Sequence, residues 1–126
     1  MSDMLDVIIV GAGSAGLAAL REVRKNTDKF LIINEGPLGT TCARTGCMPS
    51  KALIEAANAF HKRHSFNTFG ISGGDALKID IPAVLNRVRS LRDFFVSSTL
   101  GATDDLGEKH IAGQARLTGP NSLEVN

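Results

Sequence analysis

Cys42 and Cys47 are the only two cysteines of the chain, and four residues separate them. A loop that short constrains little of an unfolded chain, so a purely structural bridge is the weakest reading of the pair. Residues five apart on an ideal helix point about 140° away from each other. The two can therefore bond only where the segment between them is distorted, and Gly46 beside Cys47 permits that distortion. A distorted, short-loop disulfide is easily reduced, as a catalytic couple requires. A helix entered near Pro49 turns its N-terminus toward the nearer thiol and favours the thiolate of Cys47.

A second constellation lies upstream. Gly11, Gly13 and Gly16, with Ala12, Ser14 and Ala15 between them, follow an apolar run and open an amphipathic one. The three glycines have separate physical roles, which are a tight turn, close approach of backbone to a pyrophosphate, and close packing of helix on strand. The free N–H groups at the helix start then face the anion, with Ser14 and Ala15 in the first turn. The acid that binds a ribose belongs about 20 residues on, at the end of the next strand. Asn34 and Glu35 compete for that place, and only Glu35 has a carboxylate able to accept two hydroxyl hydrogen bonds. No arginine stands at 34–37 to meet a 2′-phosphate, which favours FAD or NAD over NADP.

These residues need elements to hold them. Asp6 to Val10 is a continuous apolar run, expected as a strand buried on both faces. Leu17, Leu20 and Val23, interleaved with Arg21, Glu22 and Arg24, predict a helix, and Phe30 to Ile33 a second buried strand. Strand, helix and strand within about 30 residues form a parallel βαβ unit. Gly36 to Pro49 reads as a loop, with a helix from Ser50 whose apolar face includes Leu53, Ala57 and Phe60. After a loop over 64–79, Asp80 is a candidate cap, with Pro82 in the first turn of a helix running to about Ser98. Two helices so joined suggest a hairpin standing on the sheet. His110 to Ala112 reads as a third strand, and Gly119 to Ser122 as a turn before Leu123 to Val125.

Composition narrows the class. The 126 residues, 43% apolar and 21% charged, are globular values and leave no room for a second domain. A net charge of +1 and six phenylalanines as the only aromatics argue against a nucleic-acid partner. The short, interrupted apolar runs predict no membrane span, and the start lacks a secretory signal, so a cytoplasmic, reducing location is expected. In that setting a cysteine pair means redox chemistry or metal. A zinc site built from Cys42, Cys47, His61 and His64 is the metal alternative. Its spacings, four residues between cysteines and two between histidines, lie at or beyond the edge of the usual ranges.

The box from Gly39 through Thr40, Thr41, Cys42, Gly46, Cys47, Met48, Pro49, Ser50 and Lys51 resembles the redox-active segment of the class I pyridine nucleotide–disulfide oxidoreductases. With the glycine fingerprint before it, and with 113–125 after it, the chain is most similar to the N-terminal FAD-binding part of the dihydrolipoamide dehydrogenases. The resemblance implies an α/β, Rossmann-like FAD-binding domain: a βαβ parallel sheet plus a helical hairpin, incomplete within residues 1–126. It implies that Gly11, Gly13 and Gly16 hold the FAD pyrophosphate, and that Gly39, Thr40 and Thr41 lie along the dinucleotide. Ala115 meets the adenine with its backbone. Cys47 is then the thiol nearer the flavin, Cys42 the one that exchanges with substrate, and Lys51 the cation beside the ring.

The implied activity is oxidation of dihydrolipoamide, free or on a lipoyl protein, with NAD as co-substrate, in a homodimer. Mercuric reductase or another disulfide reductase of the family is the alternative. Nicotinamide-binding and interface domains are expected outside this chain, and His61, His64 and His110 do not match the family's catalytic histidine. The 126 residues alone are therefore expected to be inactive or a nucleotide-binding module without turnover. Two positions depart from the family. Thr40 stands where many members have a second glycine, and the family's ribose glutamate aligns with Asn34 rather than Glu35.

Overall fold

A computed structural model describes residues 4–126. Strand β1 (Val7–Val10), helix α1 (Ser14–Val23) and strand β2 (Phe30–Asn34) form the expected βαβ unit. β1 and β2 are parallel, with Val7 opposite Phe30 and Val10 opposite Ile33. Strand β3 (His110–Ala112) lies parallel on the other side of β2, with Ile32 opposite His110. β2 is thus the central strand, and Ile32 and Ile33 are its fully buried side chains. α1 closes one face: Ile9, Ala12, Leu20, Phe30, Ile32 and Leu106 pack as one core, flanked by Leu17 and Val23. Each large aliphatic side chain so buried contributes about 1.5–3 kcal/mol.

β1 differs from its sequence reading. Ile9 faces the core, but Val10 is 60% exposed and Ile8 is exposed as well. Among the described residues β1 is an edge strand, and its second face has no layer over it. That face borders a cleft of about 420 Å³ shared with Leu117, Pro120 and Leu123. The latter belong to an antiparallel hairpin of β4 (Ala115–Gly119) and β5 (Ser122–Val125), whose turn falls where the Gly119 to Ser122 segment predicted it.

Three helices follow β2. A single short helix, α2 (Thr41–Arg44), precedes α3 (Cys47–His61), and α4 (Ile81–Leu100) follows two 3-10 turns at Lys62–Phe69 and Gly74–Ala76. α3 begins three residues before the expected Ser50, with Pro49 inside its first turn. Proline costs nothing there, because the first N–H groups of a helix have no carbonyl to bind. Asp80 caps α4 as expected, its Oδ1 accepting from the Ala83 N–H at 3.0 Å. The hairpin does not stand on the sheet. α3 and α4 pack chiefly on each other and on α2, while α1 takes the contacts with β1 and β2.

Candidate active site

The parallel strands end on one side of the sheet, and the glycine turn leaves from the end of β1. Gly11 has φ +96° and donates its N–H to Ile33 O at 2.7 Å. Gly13 is the N-cap of α1 in extended conformation, and with no side chain it accepts nothing from the first turn. A Cβ on Gly13 would meet nothing within 4 Å, whereas one on Gly16 would lie 1.8 Å from Gly11 O. Gly16 therefore serves helix–strand contact, and Gly13 keeps open the space in front of the helix. Ser14 and Ala15 fill the first turn between them. An open turn before a ten-residue helix, lined by backbone donors and free of side chains, fits a pyrophosphate.

Asn34 ends β2 beside this turn. Its Oδ1 accepts the Ala12 N–H at 2.9 Å, and its Nδ2 donates to Gly36 O at 3.0 Å and more weakly to Glu35 O at 3.3 Å. Its backbone carbonyl accepts from Gly113 N at 3.1 Å. The amide is thus engaged on both sides, while Glu35 is exposed. Ala115 stands two residues beyond Gly113 at the start of β4, so the β3 end and the hairpin join the same edge.

Seven residues carry the chain from Asn34 to Thr41, at most about 25 Å of extended backbone. Gly39 has φ +96° and lies under α4: its carbonyl accepts from Thr99 Oγ1 at 3.1 Å, and a Cβ there would come 3.1 Å from Val96 Cγ1. Thr40 is buried with φ +56°, the only described non-glycine residue with positive φ. A β-branched residue there costs about 1–3 kcal/mol of strain. Its Oγ1 offsets part of this by accepting the Ala43 N–H at 3.1 Å and capping α2. We expect Thr40→Gly, which relieves the strain, to melt above Thr40→Ala, which keeps the strain and loses the cap. A difference of about 1 kcal/mol corresponds to several degrees by calorimetry. Equal melting temperatures would mean that the conformation carries no strain.

The cysteines meet across the break between α2 and α3. Thr41 O accepts both Thr45 N at 3.0 Å and Gly46 N at 2.9 Å, folding the segment back on itself. Gly46 is tightly placed, since a Cβ would stand 3.2 Å from Thr41 O. This is the distortion that the spacing of the pair demanded. Both cysteines are thiols, Cys42 partly buried and Cys47 exposed. Hydrogen bonding with the Cys47 thiol pushes the Cys42 thiol above its ordinary value, with partial burial and charge on Cys47 adding to the rise. The Cys47 backbone N–H and the Lys51 ammonium pull the other way. The first N–H of α3 thus reaches Cys42 across the break.

His61 and His64 stack edge to face at 5.2 Å between centroids. Among the described residues no three His, Cys, Asp or Glu side chains converge on a metal-sized site. His110 lies in β3 beside Ile32. Sequence reasoning missed Val96 and Thr99, for which no local signal exists, and the tie made by Asn34.

Comparison with known proteins agrees with this geometry. The family model described as pyridine nucleotide-disulphide oxidoreductase matches residues 5–119. Mitochondrial dihydrolipoyl dehydrogenase 1 of Arabidopsis thaliana is 32% identical over 98% of this chain and 25% of its own length. Dihydrolipoyl dehydrogenase of Trypanosoma brucei brucei is 29% identical over 95% of the chain and 26% of its own length. The chain spans about a quarter of the length of these curated relatives. Among solved structures, the flavoprotein disulfide reductase RclA of Escherichia coli superposes with a TM-score of 0.65 at 22% identity, over 94% of this chain and 24% of its own. LpdA of Mycobacterium tuberculosis gives 0.65 at 20%, over 94% and 29%. At such identities these two likenesses speak for the fold alone. No described helix is long and apolar enough to cross a membrane.

Proposed function

The chain belongs to the pyridine nucleotide-disulphide oxidoreductase family, and from that premise we propose that it supplies the FAD cradle and redox thiols of an enzyme oxidising dihydrolipoamide with NAD. The observation that carries this reading is the adjacent thiol pair at the head of α3, with Lys51 one turn along. An open glycine turn at the sheet edge and relatives named as dihydrolipoyl dehydrogenases support it.

In this reading the N–H groups of the Gly11–Gly16 turn bind the pyrophosphate, and Glu35 accepts the ribose hydroxyls. Gly39, Thr40 and Thr41 line the dinucleotide, Ala115 offers backbone to the adenine, and Lys51 faces the flavin as a cation. Bound FAD supplies a two-electron acceptor for the cysteine pair. With that pair oxidised, a substrate thiolate attacks Cys42 Sγ, the Cys42–Cys47 bond breaks, and Cys47 leaves as a thiolate. The second substrate thiol then attacks the lipoyl sulfur of the mixed disulfide and releases Cys42. One substrate disulfide forms, two electrons rest on the cysteine pair, and two protons leave the substrate. The whole protein works as a homodimer in a reducing, cytoplasmic setting, where a cycling pair is not a staple.

The test is an anaerobic titration of the protein carrying this chain with dihydrolipoamide. We expect bound FAD and two electrons taken up per active site. Absence of bound flavin, or substrate thiols left unconsumed, would overturn the proposal.

A further inference from the structure

We infer that Asn34 is a positioning residue for the dinucleotide, a tie inside the protein that leaves ribose recognition to Glu35. This rests on the FAD reading above and deepens it. A residue at the end of β2 that takes both hydroxyls of a ribose needs two free acceptor sites pointing outward. Asn34 has at most one, the second lone pair of Oδ1. Its Oδ1 holds the N–H of Ala12, in the middle of the glycine turn and 22 residues away in sequence. Its Nδ2 holds the carbonyls of Gly36 and Glu35. Its main-chain carbonyl holds Gly113 at the end of β3.

One amide thereby joins the turn after β1, the loop after β2 and the end of β3. A neutral amide suits this position, because the surroundings call for an acceptor on one side and a donor on the other. A carboxylate can keep the bond to Ala12 N–H, but it would face the Gly36 and Glu35 carbonyl oxygens with no proton to give. The tie fixes how far the phosphate cradle stands from Glu35, the exposed carboxylate at the next position. Misplacing one relative to the other weakens every ligand that spans both.

The sign of one substitution separates this role from direct ribose contact. If Asn34 were the ribose ligand, Asn34→Asp would supply the stronger acceptor and tighten binding. As a tie, Asn34→Asp loosens both FAD and ADP, read by flavin fluorescence quenching and by competition. The expected loss is about tenfold or more, the scale of one or two lost hydrogen bonds. Glu35→Gln weakens the same two ligands with Asn34 intact. Binding of FAD by Asn34→Asp as tight as that of the unsubstituted chain, or tighter, overturns the inference.

If the unsubstituted protein carrying this chain binds neither FAD nor ADP, the FAD reading is overturned and with it any positioning role. Amide hydrogen exchange decides the tie independently of ligand. Ala12 N–H is expected to be protected relative to Gly13 N–H, and to lose that protection in Asn34→Ala. Equal exchange at Ala12 and Gly13 in the unsubstituted chain refutes the tie.

Discussion

Replacing Cys47 with serine is expected to stop dithiol–disulfide exchange after its first step, so that no dihydrolipoamide is released. When the reduced protein meets oxidised lipoamide, Cys42 attacks one sulfur and forms a mixed disulfide. The neighbouring Cys47 thiol can then attack Cys42 Sγ, expel dihydrolipoamide and close the protein disulfide, whereas the free lipoyl thiol can only re-close the lipoamide ring and return Cys42. The serine hydroxyl cannot do this, so release should slow by on the order of 10⁴-fold or more. Mass spectrometry would show the unsubstituted protein two hydrogens lighter, and Cys47→Ser and Cys42→Ser both still at their reduced masses. If Cys47→Ser releases product at the normal rate, the pair is not the redox couple.

The raised pKa of Cys42 sets the pH dependence of the attack. A thiol held above its ordinary value carries less thiolate at neutral pH than a free one. The rate of adduct formation should therefore rise about tenfold per pH unit through the ordinary thiol range, and level off only above it. Lys51 lowers the value of Cys42, so Lys51→Met should move the profile to still higher pH. A profile already flat at pH 7 would contradict this environment for Cys42.

Gly16→Ala should be the most damaging change to the fold. The new Cβ would come 1.8 Å from Gly11 O and 2.9 Å from Gly11 C, both backbone atoms. Gly11 cannot simply retreat, because its N–H is bonded to Ile33 O at 2.7 Å in the central strand. The helix must lift off the sheet, opening the contacts of Leu20 and Ile9 beneath it. A loss of about 3 kcal/mol or more is expected, which at this size lowers the melting temperature by about 10 °C or more. Gly13→Ala provides the contrast. Its backbone angles suit alanine and its Cβ meets nothing, so stability should change little beyond the cap. Its methyl group would occupy the open space before α1, and FAD binding should suffer instead. Two neighbouring glycines of one motif would then fail in different assays.

The chemistry was legible in the residues because it is local. Three glycines between an apolar run and an amphipathic one have few other uses. Two cysteines that cannot meet on an ideal helix call for a break between them, and the break lies between Arg44 and Cys47. The βαβ unit, the Asp80 cap and the terminal hairpin depend likewise on neighbours within a few turns.

Tertiary structure decided what depends on distant partners. β1 carries an apolar run equally suited to a buried or an edge strand, and the strand order among the described residues makes it an edge. The hydroxyl of Thr99, sixty residues from Gly39, meets that loop's carbonyl only once α4 lies across it. Thr40 occupies a conformation disfavoured for its type because the loop is clamped on both sides and its hydroxyl caps α2. Asn34 presents a side chain that suits a ribose as well as a backbone, and the choice fell to Ala12, 22 residues earlier in the chain. Residue types and short spacings determine which reactions are available. Which donor meets which acceptor across long loops is settled only when packing brings them within about 3 Å.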